Sequence, residues 1–211
     1  MNIVLPLFLG LGLSSVGVAL PGLLNMTAAK ISLKEGRQRA LIFATGAATI
    51  VFFQTYIAVS FAKFLYSRPD IIKLLEETGL IIFTLLTLYF FLFAKKKKMG
   101  KNKDIVKLNS RTSNFFLGAL LSVLNFFPIP YYVFVSVSLS AYKYFYFSNL
   151  FVFLFVMGVV AGSFLIFYLY IVFFKKFEHK ADFFMRNVNY FLGSVTGLVA
   201  ILTLIKILRS Q

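Results

Sequence analysis

Apolar residues run almost unbroken through six stretches of the chain, and the short segments between them hold most of its charge. The stretches are Ile3 to about Met26, Ala40–Ala62, Gly79–Ala94 (with a start as early as Ile71), Asn114 to about Leu139, Asn149–Phe174 and Val188–Leu208. A helix that crosses a bilayer core needs about 20 apolar residues. The pattern therefore predicts an all-α integral membrane protein of six transmembrane helices. The first stretch follows Met-Asn with no basic start and is longer than the core of a cleaved signal peptide, so it reads as a retained first helix.

Charge changes this picture by adding a direction. If the N-terminus lies outside, 16 of the 22 Lys and Arg residues fall on the cytoplasmic side and six outside. That asymmetry predicts N-out and C-out, an arrangement that requires an even number of spans. The net charge of +15 thus reads as topology and contact with anionic lipid head groups. A nucleic-acid surface needs a basic face on a soluble fold, which a chain that is 60% hydrophobic does not offer. Cysteine is absent, which removes disulfides, thiolate metal sites and thiol nucleophiles. Trp is absent too, so an aromatic belt at the membrane surface must use tyrosine, and Tyr131, Tyr132, Tyr142, Tyr144 and Tyr146 cluster where one would fall.

The basic segment KKKKMGKNKDIVKLNSR divides the chain into residues 1–94, a cytoplasmic loop at 95–113, and residues 114–211. The two halves resemble each other. FLGLGLSSVGVALPG in the first span matches FLGALLSVLNFFPIP in the fourth, with Gly10 against Gly118 at an offset of 108. In the next pair Gly46 matches Gly158 at an offset of 112, and GLIIFTLLTL from Gly79 matches GLVAILTLIK from Gly197 at 118. Two halves of three spans each must lie upside down relative to one another, which is a recurring plan of secondary transporters. Gly10, Gly46, Gly118, Gly158 and Gly162 suit close helix packing, within one subunit or across a homodimer face.

In such repeats substrate sites form where membrane helices are interrupted. Proline lacks a backbone donor and disturbs the preceding turn, and the freed carbonyls then need protein, water or ligand. Two interruptions sit at matching places: Pro21-Gly22 in the first span and Asn125-Phe-Phe-Pro128-Ile-Pro130 in the fourth. With Asn25 and Gln54 nearby in sequence or span, Pro21, Gly22, Asn125, Pro128 and Pro130 are the candidate substrate-binding residues. A simple packing kink is the competing explanation for the prolines, and helix-to-helix hydrogen bonding for the amides.

No Asp or Glu falls inside the six apolar stretches unless the third starts early; Glu76 and Glu77 lie just before Gly79 and enter it if it begins at Ile71. The single histidine, His179, sits in a charged loop beside Glu178 and Asp182. Neither pattern suits a metal centre, a cofactor or an intramembrane protease, so no catalytic residue, metal or cofactor is expected.

The stretch ALPGLLNMTAAKISLKEGRQRALIFATGAATIVF resembles the lysine-exporter and homoserine-exporter (LysE/RhtB-type) translocator family. Pro21, Gly22, Gly36, Arg37 and Gly46 fall into that family's pattern of Pro-Gly-Pro, a spacer, Gly-Arg and a glycine-containing second span. Leu23 replaces the second Pro of the triplet. In the fourth span Asn125 is present, with Pro128 three residues later where the family has Asn-Pro. RNVNYFLGSVTGLVAILTLIKIL resembles the last span. The resemblance implies a six-span exporter of amino acids or related small solutes in the bacterial inner membrane, driven by the proton-motive force. Its alternatives are a non-transporting scaffold or partner subunit, and a small-solute channel.

Overall fold

The structure, a computed structural model, describes residues 4–93 and 111–209. Among them every regular element is helical: α1 (Val4–Val18), α2 (Leu23–Glu35), α3 (Arg37–Tyr66), α4 (Pro69–Leu88), α5 (Arg111–Val123), α6 (Pro128–Ala141), α7 (Asn149–Arg186) and α8 (Val188–Arg209). A π-helical turn, Tyr89–Phe93, continues α4. The basic loop expected at 95–113 lies outside the described residues, except for 111–113, which begin α5.

The apolar stretches and the helices coincide closely, with clear differences: α4 begins at Pro69, ahead of Gly79, α7 continues past Phe174 to Arg186 so that the loop expected around His179 is helical, and the first broken helix runs past its expected end. The first span was expected to end near Met26 and to give way to a basic loop. Instead α2 runs on to Glu35, and only Gly36 separates it from α3. Leu24, Ala28 and Ile31 recur at helical spacing, and they are buried with Phe43, Phe167 and Ile171. That packing holds the segment helical despite its lysines, which lie along the other faces. Gly36 then turns the chain at φ 94°, a left-handed value that a residue with a Cβ adopts only with strain.

The chain divides into two compact units, and each draws on both sequence halves. The larger comprises Met1–Phe64 and Asp104–Glu178; the smaller comprises Leu65–Lys103 and His179–Gln211.

In the larger unit two helix crossings are built in the same way. On α1, a Cβ at Gly10 would strike the carbonyl oxygen of Phe155 and the amide of Val159 on α7. On α5, a Cβ at Gly118 would strike the carbonyl of Phe43 and the amide of Ala47 on α3. The partners answer in kind: Gly158 lies on the Leu7 carbonyl, Gly162 on the Leu11 carbonyl and Gly46 on the Phe115 carbonyl. Phe155 and Val159 stand 112 residues after Phe43 and Ala47, and Phe115 stands 108 after Leu7, the offsets at which the sequence matches itself. Gly158 meets Leu7 and Gly162 meets Leu11 and Ser14, so α1 runs parallel to α7; Gly46 meets Phe115 and Gln54 farther along meets Ser122, so α3 runs parallel to α5. The glycine faces are filled by helices of the same chain, backbone against backbone. In the smaller unit α4 and α8 run antiparallel. Thr87 donates to Thr196 at 3.0 Å, and the Phe91 ring covers Gly193.

Large apolar side chains cover the exterior, among them Phe8, Phe53, Phe116, Phe134 and Phe153. α3 and Asn149–Phe173 of α7 are long and apolar enough to cross a membrane. So are two bent pairs if each counts as one span: α1 with α2, bent by 80°, and α5 with α6, bent by 58°. Leu80–Phe93 and Thr196–Ile205 are apolar but shorter. The tyrosine belt is only partly formed. Tyr142, Tyr144 and Tyr146 are exposed, but Tyr132 is buried and Tyr131 is turned inward. A buried phenol needs polar partners, and α1 and α7 supply them.

The paired helix breaks as candidate functional site

Both interruptions lie in the larger unit, and each leaves carbonyls that the helix no longer uses. α1 stops at Val18, and the chain passes through Ala19–Pro21 to Gly22, the extended N-cap of α2. Asn25, in the first turn of α2, reaches back and donates its amide to the carbonyls of Val18 at 2.6 Å and Leu20 at 2.9 Å. The carbonyl between them, Ala19, accepts the Tyr170 hydroxyl of α7 at 2.9 Å. Three successive carbonyls are thus satisfied without water, as a break inside a membrane requires.

The second break is held from outside its own helices. α5 ends at Val123, and Gln54 of α3 donates its amide to the carbonyls of Ser122 and Asn125, both at 3.0 Å. Pro128 and Pro130 occupy the first turn of α6 and do not interrupt a helix interior. Four N–H groups normally go unbonded at a helix start. Here two are abolished by proline, and the other two, on Ile129 and Tyr131, bond to the carbonyls of Phe126 and Phe127. Proline is placed where a missing donor costs nothing. The start of α6 therefore offers no free backbone donor, whereas α2 begins with ordinary residues at Leu23 and Leu24.

One side chain joins the breaks. Tyr131 follows Pro130 directly, its hydroxyl donates to the Leu13 carbonyl of α1 at 2.9 Å, and its ring lies over Gly17. Tyr131→Phe keeps the ring and loses the bond, so it is expected to cost about 1 kcal/mol, read as a small drop in thermal midpoint. Below it Ser14 and Ser163, both fully buried, are 2.7 Å apart, and the buried Tyr132 hydroxyl interacts with both.

The expected residues are thus partly gathered. Pro21, Gly22 and Asn25 form the first break, Asn125, Pro128 and Pro130 the second, and Gln54 reaches the second from α3. Asn25 and Gln54 spend their N–H groups on the chain itself, but their acceptor oxygens are buried without a hydrogen-bond partner among the described residues. Ser15 Oγ and Ser122 Oγ are in the same state. Asn125 is half-buried, and its side-chain amide has no described partner. Every one of these groups is neutral. Helix dipoles add partial negative charge at the ends of α1 and α5 and partial positive charge at the start of α2. Such a set can orient a small polar solute through hydrogen bonds. Tyr131, Tyr170 and Ser163 escaped the sequence reading because they lie far along the chain from the carbonyls and hydroxyls they meet. No local motif marks them.

The family model for LysE type translocators matches residues 15–207, a span that contains both breaks. No curated protein and no solved structure matches the chain.

Proposed function

Because the chain belongs to the LysE type translocator family, membrane proteins that move small solutes, we propose that it is a secondary exporter of amino acids or related small polar solutes. Its site lies between the two breaks. The observation that carries this is the pairing of interrupted helices through Tyr131, with unused buried acceptors on both sides. In transporters built from repeats, interrupted helices commonly supply the solute site.

Six spans in an inverted repeat fit the same helices. Counted with the two long helices and the two bent pairs, the shorter apolar segments in α4 and α8 bring the number to six. Parallel α1 with α7, parallel α3 with α5, and antiparallel α4 with α8 are the directions that alternating spans require. The reciprocal glycine crossings at offsets of 108 and 112 support a two-fold relation between halves. With the basic residues counted as above, the orientation is N-out and C-out in a bacterial inner membrane. Alternating access exposes the site to one face and then the other. Pro21, Gly22, Asn25, Gln54, Asn125, Pro128 and Pro130 shape or contact the solute.

The test is transport by purified protein in liposomes that carry a labelled amino-acid mixture. Wild type is expected to move label. Asn125→Ala, which deletes an amide the chain itself does not use, is expected to lower flux about fivefold, the equivalent of about 1 kcal/mol of solute binding, with unchanged yield and thermal midpoint. Flux through Asn125→Ala and Pro21→Ala equal to wild type would remove the site from the breaks. No flux of any solute by wild type would favour a scaffold, and flux indifferent to any imposed gradient would favour a channel.

A further inference from the structure

The two breaks match in place but not in polarity. At the first, side chains satisfy the carbonyls of Val18, Ala19 and Leu20. The first amide of α2 to bond is that of Met26, to the Gly22 carbonyl, so the N–H groups of Leu23 and Leu24 are left over. Donors are in excess there. At the second break the balance is reversed. Pro128 and Pro130 carry no N–H, and the amides of Ile129 and Tyr131 are already bonded. Its acceptors are not used up. The Asn125 N–H turns to the Ser122 carbonyl, three residues back, and leaves the Leu121 carbonyl without its helical partner. The Leu124 carbonyl would bond to residue 128, which is proline. Gln54 holds the Ser122 and Asn125 carbonyls through its nitrogen, and its oxygen is buried with no partner among the described residues. Ser122 Oγ is buried and unpartnered in the same way.

No charge of the chain makes up the difference. Residues 1–29, 40–62, 112–142 and 144–174 contain no Lys, Arg, His, Asp or Glu. Glu35, at the end of α2, is engaged elsewhere. Its side chain, 14% exposed, accepts from Arg39 at 3.1 Å and from the Asn114 amide at 3.3 Å, and Asn114 stands at the opposite end of α5 from the break. The C-terminus of α5 adds partial negative charge, and the start of α6 has no free N–H to oppose it.

Neutral oxygens in excess, with no carboxylate among them, suit a cation of low charge. Divalent ions draw on carboxylates, whereas a monovalent ion can exchange its water for carbonyl and hydroxyl oxygens alone. In transporters with interrupted helices, unwound carbonyls and half-helix C-termini coordinate sodium. One turn before Ser122, Gly118 brings the backbones of α5 and α3 together, which favours a bare ion over the amine of a bulkier solute. We propose that the second break binds a sodium ion through Gln54 Oε1, Ser122 Oγ and the carbonyls freed at the end of α5, with half-buried Asn125 at its rim. Gln54 then acts twice: its nitrogen pins the break and its oxygen holds the ion. Neutral donors of this kind form no spacing motif of acids, histidines or cysteines. Ion binding is measured without transport, so this site stands apart from the exporter reading.

The test uses the purified full chain in detergent with radiolabelled sodium. Wild type is expected to bind label saturably, and unlabelled sodium chloride displaces it while choline chloride at equal ionic strength does not. The thermal midpoint is expected to rise by about 3 °C when sodium replaces choline. Ser122→Ala deletes an oxygen that the chain itself does not use. It is expected to keep or raise the midpoint in choline and to lose about tenfold in sodium affinity. Ser136→Ala deletes another buried, unpartnered hydroxyl, about 12 Å along α6 from Pro128, and is expected to bind sodium as wild type does. Should Ser122→Ala fail to fold, Ser122→Cys keeps the size and replaces the hard oxygen by a soft sulfur, and the same loss is expected. No saturable sodium binding by wild type overturns the proposal and leaves water as the partner of these oxygens. Wild-type affinity in the Ser122 variants overturns it as well. Displacement of the label by an amino-acid mixture at equal sodium would give these oxygens to the solute's ammonium group, which also overturns it. Wild type that binds sodium but moves no solute in liposomes would overturn the exporter reading alone.

Discussion

Replacing Gln54 by leucine is expected to destabilise the protein by about 2 kcal/mol and to abolish transport. The Gln54 amide donates to two carbonyls, Ser122 and Asn125, in the second break. Leucine fills similar volume but leaves the Asn125 carbonyl without its donor, while the Ser122 carbonyl keeps only the Asn125 N–H at 3.0 Å, and the loss of such a donor costs about 1–3 kcal/mol. A thermal melt in detergent checks the stability, and a fall of several degrees is expected. The neighbouring Thr55→Val is the control. The Thr55 hydroxyl is buried with no partner among the described residues, so its removal is expected to leave the midpoint unchanged or raised. If Gln54→Leu melted with wild type, Gln54 would not be what satisfies the break.

Gly118→Ala is expected to be at least as damaging, by about 2 kcal/mol or more, because the methyl group meets backbone and not a movable side chain. It would overlap the Phe43 carbonyl and press on the Ala47 amide, and neither can yield unless α3 and α5 move apart. Gly10→Ala, at the matching crossing of α1 and α7, is expected to behave alike. Gly12→Ala makes the opposite case. Nothing lies within 4 Å of its Cβ position, so alanine there gains helix propensity and is expected to stabilise by up to about 1 kcal/mol. Equal midpoints for Gly118→Ala and Gly12→Ala would mean that the crossing is not close-packed.

Helix positions were legible because a run of apolar residues long enough to span a membrane has few other stable conformations. The boundaries of α7 and α8 fall where the apolar stretches begin. The breaks at Pro21 and Pro128 were legible because proline acts locally on its own backbone. The second half of the first broken helix was not: Lys30, Lys34 and Glu35 look like a loop until Ala28 and Ile31 are seen packed on α3 and α7. Glu35 was missed for that reason, although its spacing to Arg39 is the i, i+4 spacing of a helical ion pair. The tyrosines were misassigned in part because composition gives the number of rings near a surface and not which way each one faces.

The sequence by itself determined the helical class, the likeness of the two halves, the places where helices fail, and the family. All of these depend on residue type and on spacing along the chain. Only the tertiary structure decided what happens at the failures: Asn25 and Tyr170 satisfy one break, Gln54 satisfies the other, and Tyr131 ties the two together. It also decided that the matched glycines meet across halves, α1 on α7 and α5 on α3, and that Glu35 meets Asn114. A freed carbonyl or a buried carboxylate must be satisfied by something, but its partner is chosen by proximity in the packed fold. The residues that meet there stand up to 151 positions apart.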